Sequence, residues 1–122
     1  MNEIDKLRKL LTDAEIPFEN YIEEVKTPRF RATEYGEAGK YDRNQIIYGR
    51  TGASWKFDAI WQYGSFGAAE GLIETYGQLG VDEDEYPSTM TAQEAFEIIK
   101  ADWEKTGGKE LTPYGTSCGH RA

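Results

Sequence analysis

The chain has 122 residues, of which 22 are acidic and 14 are basic, so its net charge is −8 at neutral pH. This length fits one domain with a buried core. An aromatic share of 13% is too high for an intrinsically disordered chain. The negative charge disfavours direct binding to nucleic acid or to an anionic membrane, and it favours a basic protein partner or no charged partner at all.

Signals for secretion or membrane insertion are not found in the sequence. The single cysteine, Cys118, cannot form an internal disulfide. Met1 to Asp5 lack the basic and apolar regions of a signal peptide, and the apolar runs are too short to span a bilayer. We therefore expect a cytoplasmic protein of a bacterial host cell.

The first half of the chain predicts one helix followed by short strands. Residues 2–14 carry apolar side chains at three- and four-residue spacing behind a possible cap, Asn2, which is typical of an amphipathic helix. Residues 18–25, 29–35 and 44–49 are strand candidates.

The clearest strand is predicted for residues 54–63. Large apolar side chains alternate strictly with polar ones, which indicates a half-buried strand in an antiparallel sheet and a hairpin with residues 44–49. The aromatic side chains of this strand favour a core role, although such a set also suits a stacking platform for a nucleic-acid base. The apolar face comprises Trp55, Phe57, Ala59, Trp61 and Tyr63.

Two further helices are predicted in the second half. Residues 67–76 carry apolar side chains at helical spacing. Thr91 and Glu94 form a capping box at the start of a helix that runs to about Lys105.

The predicted order is therefore helix, strands, helix, helix. We expect an α+β fold in which a small antiparallel sheet of three or four strands packs against about three helices. Residues 1–106 form the single globular domain, and residues 107–122, rich in glycine and without periodicity, form a flexible C-terminal tail.

A glycine-rich turn is the first candidate binding site. Gly64, Ser65, Phe66 and Gly67 link a predicted strand to a predicted helix N-terminus. Free backbone N–H groups and the helix dipole at such a point can hold an anion. The alternative is a tight turn in which Ser65 caps the helix.

Basic side chains are concentrated in residues 26–56, which hold seven basic and three acidic residues. Arg43, Arg50 and Lys56 are the candidates that would help the glycine-rich turn to bind a nucleotide or another phosphorylated compound. The alternative is that these side chains line a solvated strand face.

An acidic run is the candidate surface for protein binding. Asp82, Glu83, Asp84 and Glu85 precede a proline and suit a solvated loop or an acidic patch that binds a basic protein. The run fails as an EF-hand because Tyr86 occupies the fifth position.

Residues for catalysis or metal binding are scarce. Cys118 and His120 form a Cys-x-His pair, but a structural zinc site needs four ligands. His120 is the only histidine and lies in the predicted tail, where catalytic geometry is hard to fix. We expect no catalytic residue, no metal and no cofactor, and a protein that is not an enzyme.

Four short motifs follow one another between residues 10 and 99. Their order resembles that of small uncharacterised proteins of phages and prophages of Gram-positive bacteria. The resemblance implies a mobile-element origin and no known enzymatic activity, and it supplies no functional residues. The motifs are Leu10-Leu11…Ala14-Glu15-Ile16-Pro17-Phe18-Glu19, Ile46-Ile47-Tyr48, Tyr63-Gly64-Ser65-Phe66-Gly67 with Gly71-Leu72-Ile73-Glu74, and Thr91-Ala92-Gln93-Glu94-Ala95-Phe96.

Three functions stay open on these grounds. The first is a phage or prophage accessory protein that binds a host or phage protein, for example to inhibit a host defence protein through an acidic surface. The second is a module that binds a nucleotide or phosphorylated compound at the glycine-rich turn. The third is a structural or assembly protein of the virion, which an obligate oligomer with a large apolar interface would favour.

Overall fold

A computed structural model describes residues 1–27, 29–77, 79 and 88–107. The fold is α+β, as predicted, but the sheet has five strands instead of three or four. The elements in chain order are α1 (Glu3–Asp13), β1 (Glu19–Glu24), a first 3₁₀ helix (Ala32–Lys40), β2 (Tyr41–Tyr48), β3 (Phe57–Ile60), a second 3₁₀ helix (Ala68–Glu70), β4 (Ile73–Gly77), β5 (Ser88–Met90) and α2 (Ala92–Lys105).

The sheet is an antiparallel meander in which the strand order is the chain order, β1-β2-β3-β4-β5. The predicted hairpin is confirmed: β2 pairs with β3, with Tyr48 opposite Phe57. Its turn is closed where Thr51 and Ser54 exchange two backbone hydrogen bonds of 2.8 and 3.2 Å. β3 is shorter than predicted, yet the N–H of Trp61 still donates to a carbonyl of β2.

Both α-helices begin as their sequences predict. The side chain of Asn2 accepts a 2.8 Å hydrogen bond from the N–H of Asp5 at the start of α1. Thr91 and Glu94 form the complete capping box of α2. The helices lie side by side, and the N–H of Ala92 donates to a Glu3 carboxylate oxygen at 2.7 Å. Among the described residues, no helix has the length and apolarity needed to cross a membrane.

The core lies between these two helices and one face of the sheet. Because side chains alternate along a strand and cross-strand neighbours share a face, this helix-covered face takes every second residue of β2, β3 and β4. Of the apolar positions of 54–63, Phe57, Ala59 and Trp61 lie in the core, and Trp61 donates its indole N–H to the Ala68 carbonyl. Trp55 and Tyr63, also predicted for this face, are only half-buried and contact arginine side chains. Fully buried members are Ile4, Leu7, Leu11, Ile46, Phe57, Ala59, Ile73, Ala95 and Ile99.

The predicted strand at residues 29–35 is wrong, because this segment turns into the first 3₁₀ helix. The backbone of Gly39 packs against that of Ala32 so closely that a Cβ on Gly39 would lie 2.1 Å from the Ala32 carbonyl oxygen. The chain therefore curls back on itself here and cannot be extended.

The predicted helix at residues 67–76 is also wrong. Gly67 and Gly71 both have left-handed backbone angles, with φ of 74° and 81°, which end a helix instead of continuing it. Only the three residues Ala68–Glu70 are helical, and they form a 3₁₀ turn. Ile73 and Thr75 then point into the core as alternate residues of β4.

Candidate functional site

The glycine-rich turn is a closed unit in the structure. Ser65 is only 4% exposed. Its hydroxyl donates to the Gln62 carbonyl at 2.8 Å and accepts from the Gln62 N–H at 3.0 Å. Gly64 and Gly67 have positive φ angles of 85° and 74°. Ser65 therefore fastens the turn and does not cap a helix.

The anion site predicted at this turn loses its geometric basis. No α-helix begins at Gly67, because only the three-residue 3₁₀ turn Ala68–Glu70 follows it directly, so no α-helix dipole points at the turn. The N–H of Phe66 already donates to a Glu74 carboxylate oxygen at 2.6 Å, and that negative charge would repel a phosphate. The predicted helix N-terminus after Gly67 is wrong, because a short 3₁₀ turn stands there. Phosphate binding at Gly64–Gly67 stays a prediction.

The basic residues proposed to assist the turn are held elsewhere. Arg43 lies over the ring of Tyr21 at 3.7 Å and donates to Gln45. Arg50 donates to Glu19 at 2.6 Å. Because each is engaged on the β1–β2 side of the sheet, the structure does not gather them around the turn.

Lys56 belongs to a different cluster. Its ammonium lies 2.9 and 3.1 Å from the two carboxylate oxygens of Asp102 on α2. The Tyr48 hydroxyl donates to the same carboxylate at 2.7 Å. Burial and this hydrogen bond raise the pKa of Tyr48 above its ordinary value. The cluster fastens the last turns of α2 to β2 and to the residue that precedes β3, which is a structural task.

The candidate surface for protein binding, Asp82–Glu85, lies outside the described residues. So do Cys118, His120 and all of the predicted tail except Gly107. Within the described ranges, no group of three or more His, Cys, Asp or Glu side chains could hold a metal ion.

Two buried carboxylates were not singled out from the sequence. Asp58 and Glu74 are each 5% exposed and lie on neighbouring strands, β3 and β4, on the sheet face away from the helices. Asp58 accepts from the Gln45 side chain at 2.7 Å and from the Tyr76 N–H at 3.1 Å. Burial raises the pKa of Asp58, these two bonds lower it, and the charge of Glu74 raises it further. The sequence signal that could have indicated Asp58 is its place between the apolar residues Phe57 and Ala59.

These carboxylates tie strands together. Asp58 links β2, β3 and β4 through its two donors, and Glu74 links β4 to the glycine-rich turn through Phe66. Every buried polar side-chain atom among the described residues has a hydrogen-bond partner, so no buried donor or acceptor is left aimed at a reacting group.

The strand β1 forms one edge of the described sheet. β1 pairs only with β2 among the described strands. Asn20, Ile22, Glu23 and Glu24 are exposed, and Ile22 keeps 52% of its surface in solvent. An edge strand with these features can pair with an extended segment of another chain.

Comparisons with known proteins gave no match. No family model, no curated protein and no solved structure matches it.

Proposed function

We propose that this protein is a phage or prophage accessory protein that acts by binding a basic protein, and that it is not an enzyme. The observation that carries the proposal is the acidic edge strand β1, which pairs with β2 alone among the described strands. A host defence protein is the partner we favour, and its inhibition is the outcome we expect.

The charge distribution supports a basic partner. Every arginine that the structure describes forms an ion pair with an acidic side chain. Of the described carboxylates, Asp58 and Glu74 are buried, and the others are at least partly exposed. Glu24 forms no ion pair with the described residues. Glu23 and Arg43 form a long ion pair of 4.0 Å, and the Glu23 side chain is 63% exposed. Such exposed pairs bind weakly and exchange readily.

The backbone supports an extended partner segment. The outer side of an edge strand presents N–H and C=O groups that another strand can pair with, and alternate side chains then decide which segment fits. Ile22 would contact an apolar residue of that segment, and Glu23 and Glu24 would contact lysine or arginine. Its binding would add a strand to the meander next to β1.

The test is capture of a partner by tagged protein from bacterial lysate, followed by native mass spectrometry and a salt titration. For a captured basic protein, we expect Glu23→Gln with Glu24→Gln to weaken binding roughly tenfold at low salt. The matched control is Glu70→Gln with Glu104→Gln, which removes the same charge from exposed positions on other elements.

The variant that neutralises Asp82 to Glu85 tests the acidic run in parallel. Loss of binding in that variant alone would move the interface from β1 to the acidic run. Equal binding by all variants, or binding that does not weaken as salt rises, would contradict an acidic interface of either kind.

A further inference from the structure

A cationic groove lies at the end of β1. It is formed where the end of β1 meets the two ends of the first 3₁₀ helix, and its volume is about 510 Å³. The lining residues are Val25, Lys26, Arg29, Arg31, Ala32, Thr33, Gly39 and Lys40. Four of these eight are basic and none is acidic, which is unexpected in a chain of net charge −8.

The basic groups of the groove are available to a ligand. Lys26 is exposed and forms no ion pair with the described residues. Arg31 and Lys40 pair with Glu34 and Glu37 one turn away, at 2.7 and 2.6 Å. All four of these side chains are more than half exposed, and exposed pairs of this kind contribute little. A phosphate can therefore replace the carboxylates at low cost.

Contacts within the fold hold the backbone at two points around the groove. Gly39 packs directly on Ala32, and the N–H of Val25 donates to the Lys40 carbonyl at 2.9 Å. Arg31 has a φ of 65°, a left-handed angle that costs energy for a residue with a side chain. A fixed rim reduces the ordering that binding requires.

One wall of the groove is held by an aromatic and an acidic side chain. The guanidinium of Arg29 lies 4.8 Å from the centre of the Tyr63 ring and donates to Asp42 at 2.7 Å. The Tyr63 hydroxyl donates to the Phe30 carbonyl at 3.0 Å. Arg29 thus keeps its place at the rim, and the other three basic residues are the ones free to move to a ligand.

The surroundings limit the size of that ligand. An adjoining cavity of about 700 Å³ shares Lys26 and Arg29 but is also lined by Glu23, Glu24 and Asp42. These carboxylates would repel the next phosphates of a long polyanion. The positive surface is therefore suited to a compact anion, and a volume of about 510 Å³ is within the range of small-molecule sites.

From this geometry we propose that the groove between Lys26, Arg31 and Lys40 binds the phosphate groups of a phosphorylated small molecule. Lysine supplies point charges and arginine a bidentate fork for phosphate oxygens, and the Thr33 hydroxyl adds a neutral donor. This site adjoins the acidic edge of β1 but depends on different side chains, Lys26, Arg31 and Lys40 instead of Glu23 and Glu24, so either proposal stands if the other fails.

The experiment is a titration of the full chain with inorganic pyrophosphate, followed by calorimetry and by the amide signals in ¹⁵N–¹H NMR spectra. We expect saturable binding with shifts concentrated in residues 25–40. Lys26→Gln with Lys40→Gln should weaken it roughly tenfold. Both side chains are exposed, so circular dichroism of this variant should match that of the wild type.

The matched control is Lys100→Gln with Lys105→Gln, two exposed lysines of α2 without an ion pair among the described residues. This control removes the same charge and should change affinity by no more than about twofold. Equal weakening in both variants, or no saturable shifts in the wild type, would overturn the proposal. Tighter binding of a short single-stranded oligonucleotide than of pyrophosphate would also overturn it, in favour of a nucleic-acid site.

Discussion

The two faces of the sheet use the same strands for different purposes. On the helix-covered face, Ile46, Phe57 and Ile73 are fully or almost fully buried against α1 and α2. On the far face, the same strands carry Arg43 stacked on Tyr21 and the hydrogen-bonded carboxylate of Asp58. Residues one position apart in the chain therefore differ in what they contribute.

Different parts of the sheet therefore provide stability and surfaces for binding. Burial of apolar surface on the helix-covered face supplies most of the free energy of folding, about 25 cal/mol for each Å² removed from water. The β1 edge holds charges whose pairs are partly exposed, so its residues can change, or meet a partner, with little loss of stability.

The largest effect is expected from a truncation on the helix-covered face. Phe57 is 2% exposed and lies in the middle of the core. Phe57→Ala should lower the free energy of unfolding by about 3–5 kcal/mol, because it removes buried surface and leaves a cavity. Urea denaturation followed by circular dichroism measures this loss.

The control for this change is Ile60→Ala, at a half-buried position of the same strand on the far face. It should cost about 1 kcal/mol. Equal losses at the two positions would mean that the two faces of the sheet contribute alike to the free energy of unfolding.

A middle-sized effect is expected where the helix-covered face contains a charge. Asp102 is 11% exposed and accepts from both Lys56 and Tyr48. Asp102→Ala leaves the lysine and the hydroxyl without their partner, so we expect a loss of about 2–3 kcal/mol. Thermal and urea unfolding both measure it.

Glu104→Ala is the comparison for this change, because Glu104 is an exposed residue of the same helix. It should alter stability by less than about 0.5 kcal/mol. If Asp102→Ala were equally mild, the Tyr48–Lys56–Asp102 cluster would not fasten α2 to the sheet.

The smallest effect, and the one that depends on pH, is expected on the far face. The native pKa of Asp58 is raised above its ordinary 3.8 by burial, so the folded protein holds the proton more tightly than the unfolded chain. Its contribution to stability is therefore fully present at low pH and is lost as pH rises through the native pKa. Asp58→Asn, neutral and of equal size, should change the free energy of unfolding at pH 7 by no more than about 1 kcal/mol.

The measurement is urea unfolding of wild type and Asp58→Asn between pH 4 and pH 7. The wild type should lose stability relative to the variant as pH rises across this range. A difference that stays constant with pH would show that Asp58 has the same pKa in both states.

The sequence predicted the elements whose signals are local and strong. The cap of α1 by Asn2, the capping box of α2 and the β2–β3 hairpin each depend on a few neighbouring residues, and each is confirmed. The assignment of Phe57 and Trp61 to the core is confirmed for the same reason, since strict alternation needs no knowledge of the rest of the chain.

The errors arose where two patterns fit the same residues. In residues 67–76, apolar side chains fall at helical spacing, but Ile73 and Thr75 also alternate as in a strand. Two glycines with left-handed backbone angles, Gly67 and Gly71, prevent a continuous helix, and the residues after them form β4. β5 has only three residues, which is too short for a periodicity to show.

The site residues were harder to predict than the elements. The basic character of residues 26–56 was visible, but ion pairs with residues distant in sequence determine which of its members are free. Arg50 and Lys56 are held by Glu19 and Asp102, 31 and 46 positions away. The weakly held members, Lys26, Arg31 and Lys40, lie at one end of the same segment.

The contact between the two ends of the described chain has a consequence for folding. Each strand pairs with its neighbour in sequence, so the pairings of the meander are local in the chain and can form quickly. The helical layer instead joins Glu3 to Ala92 across 89 positions. During synthesis α1 and the sheet can form before α2, and the part of the apolar face that α2 covers stays at risk of aggregation until α2 leaves the ribosome.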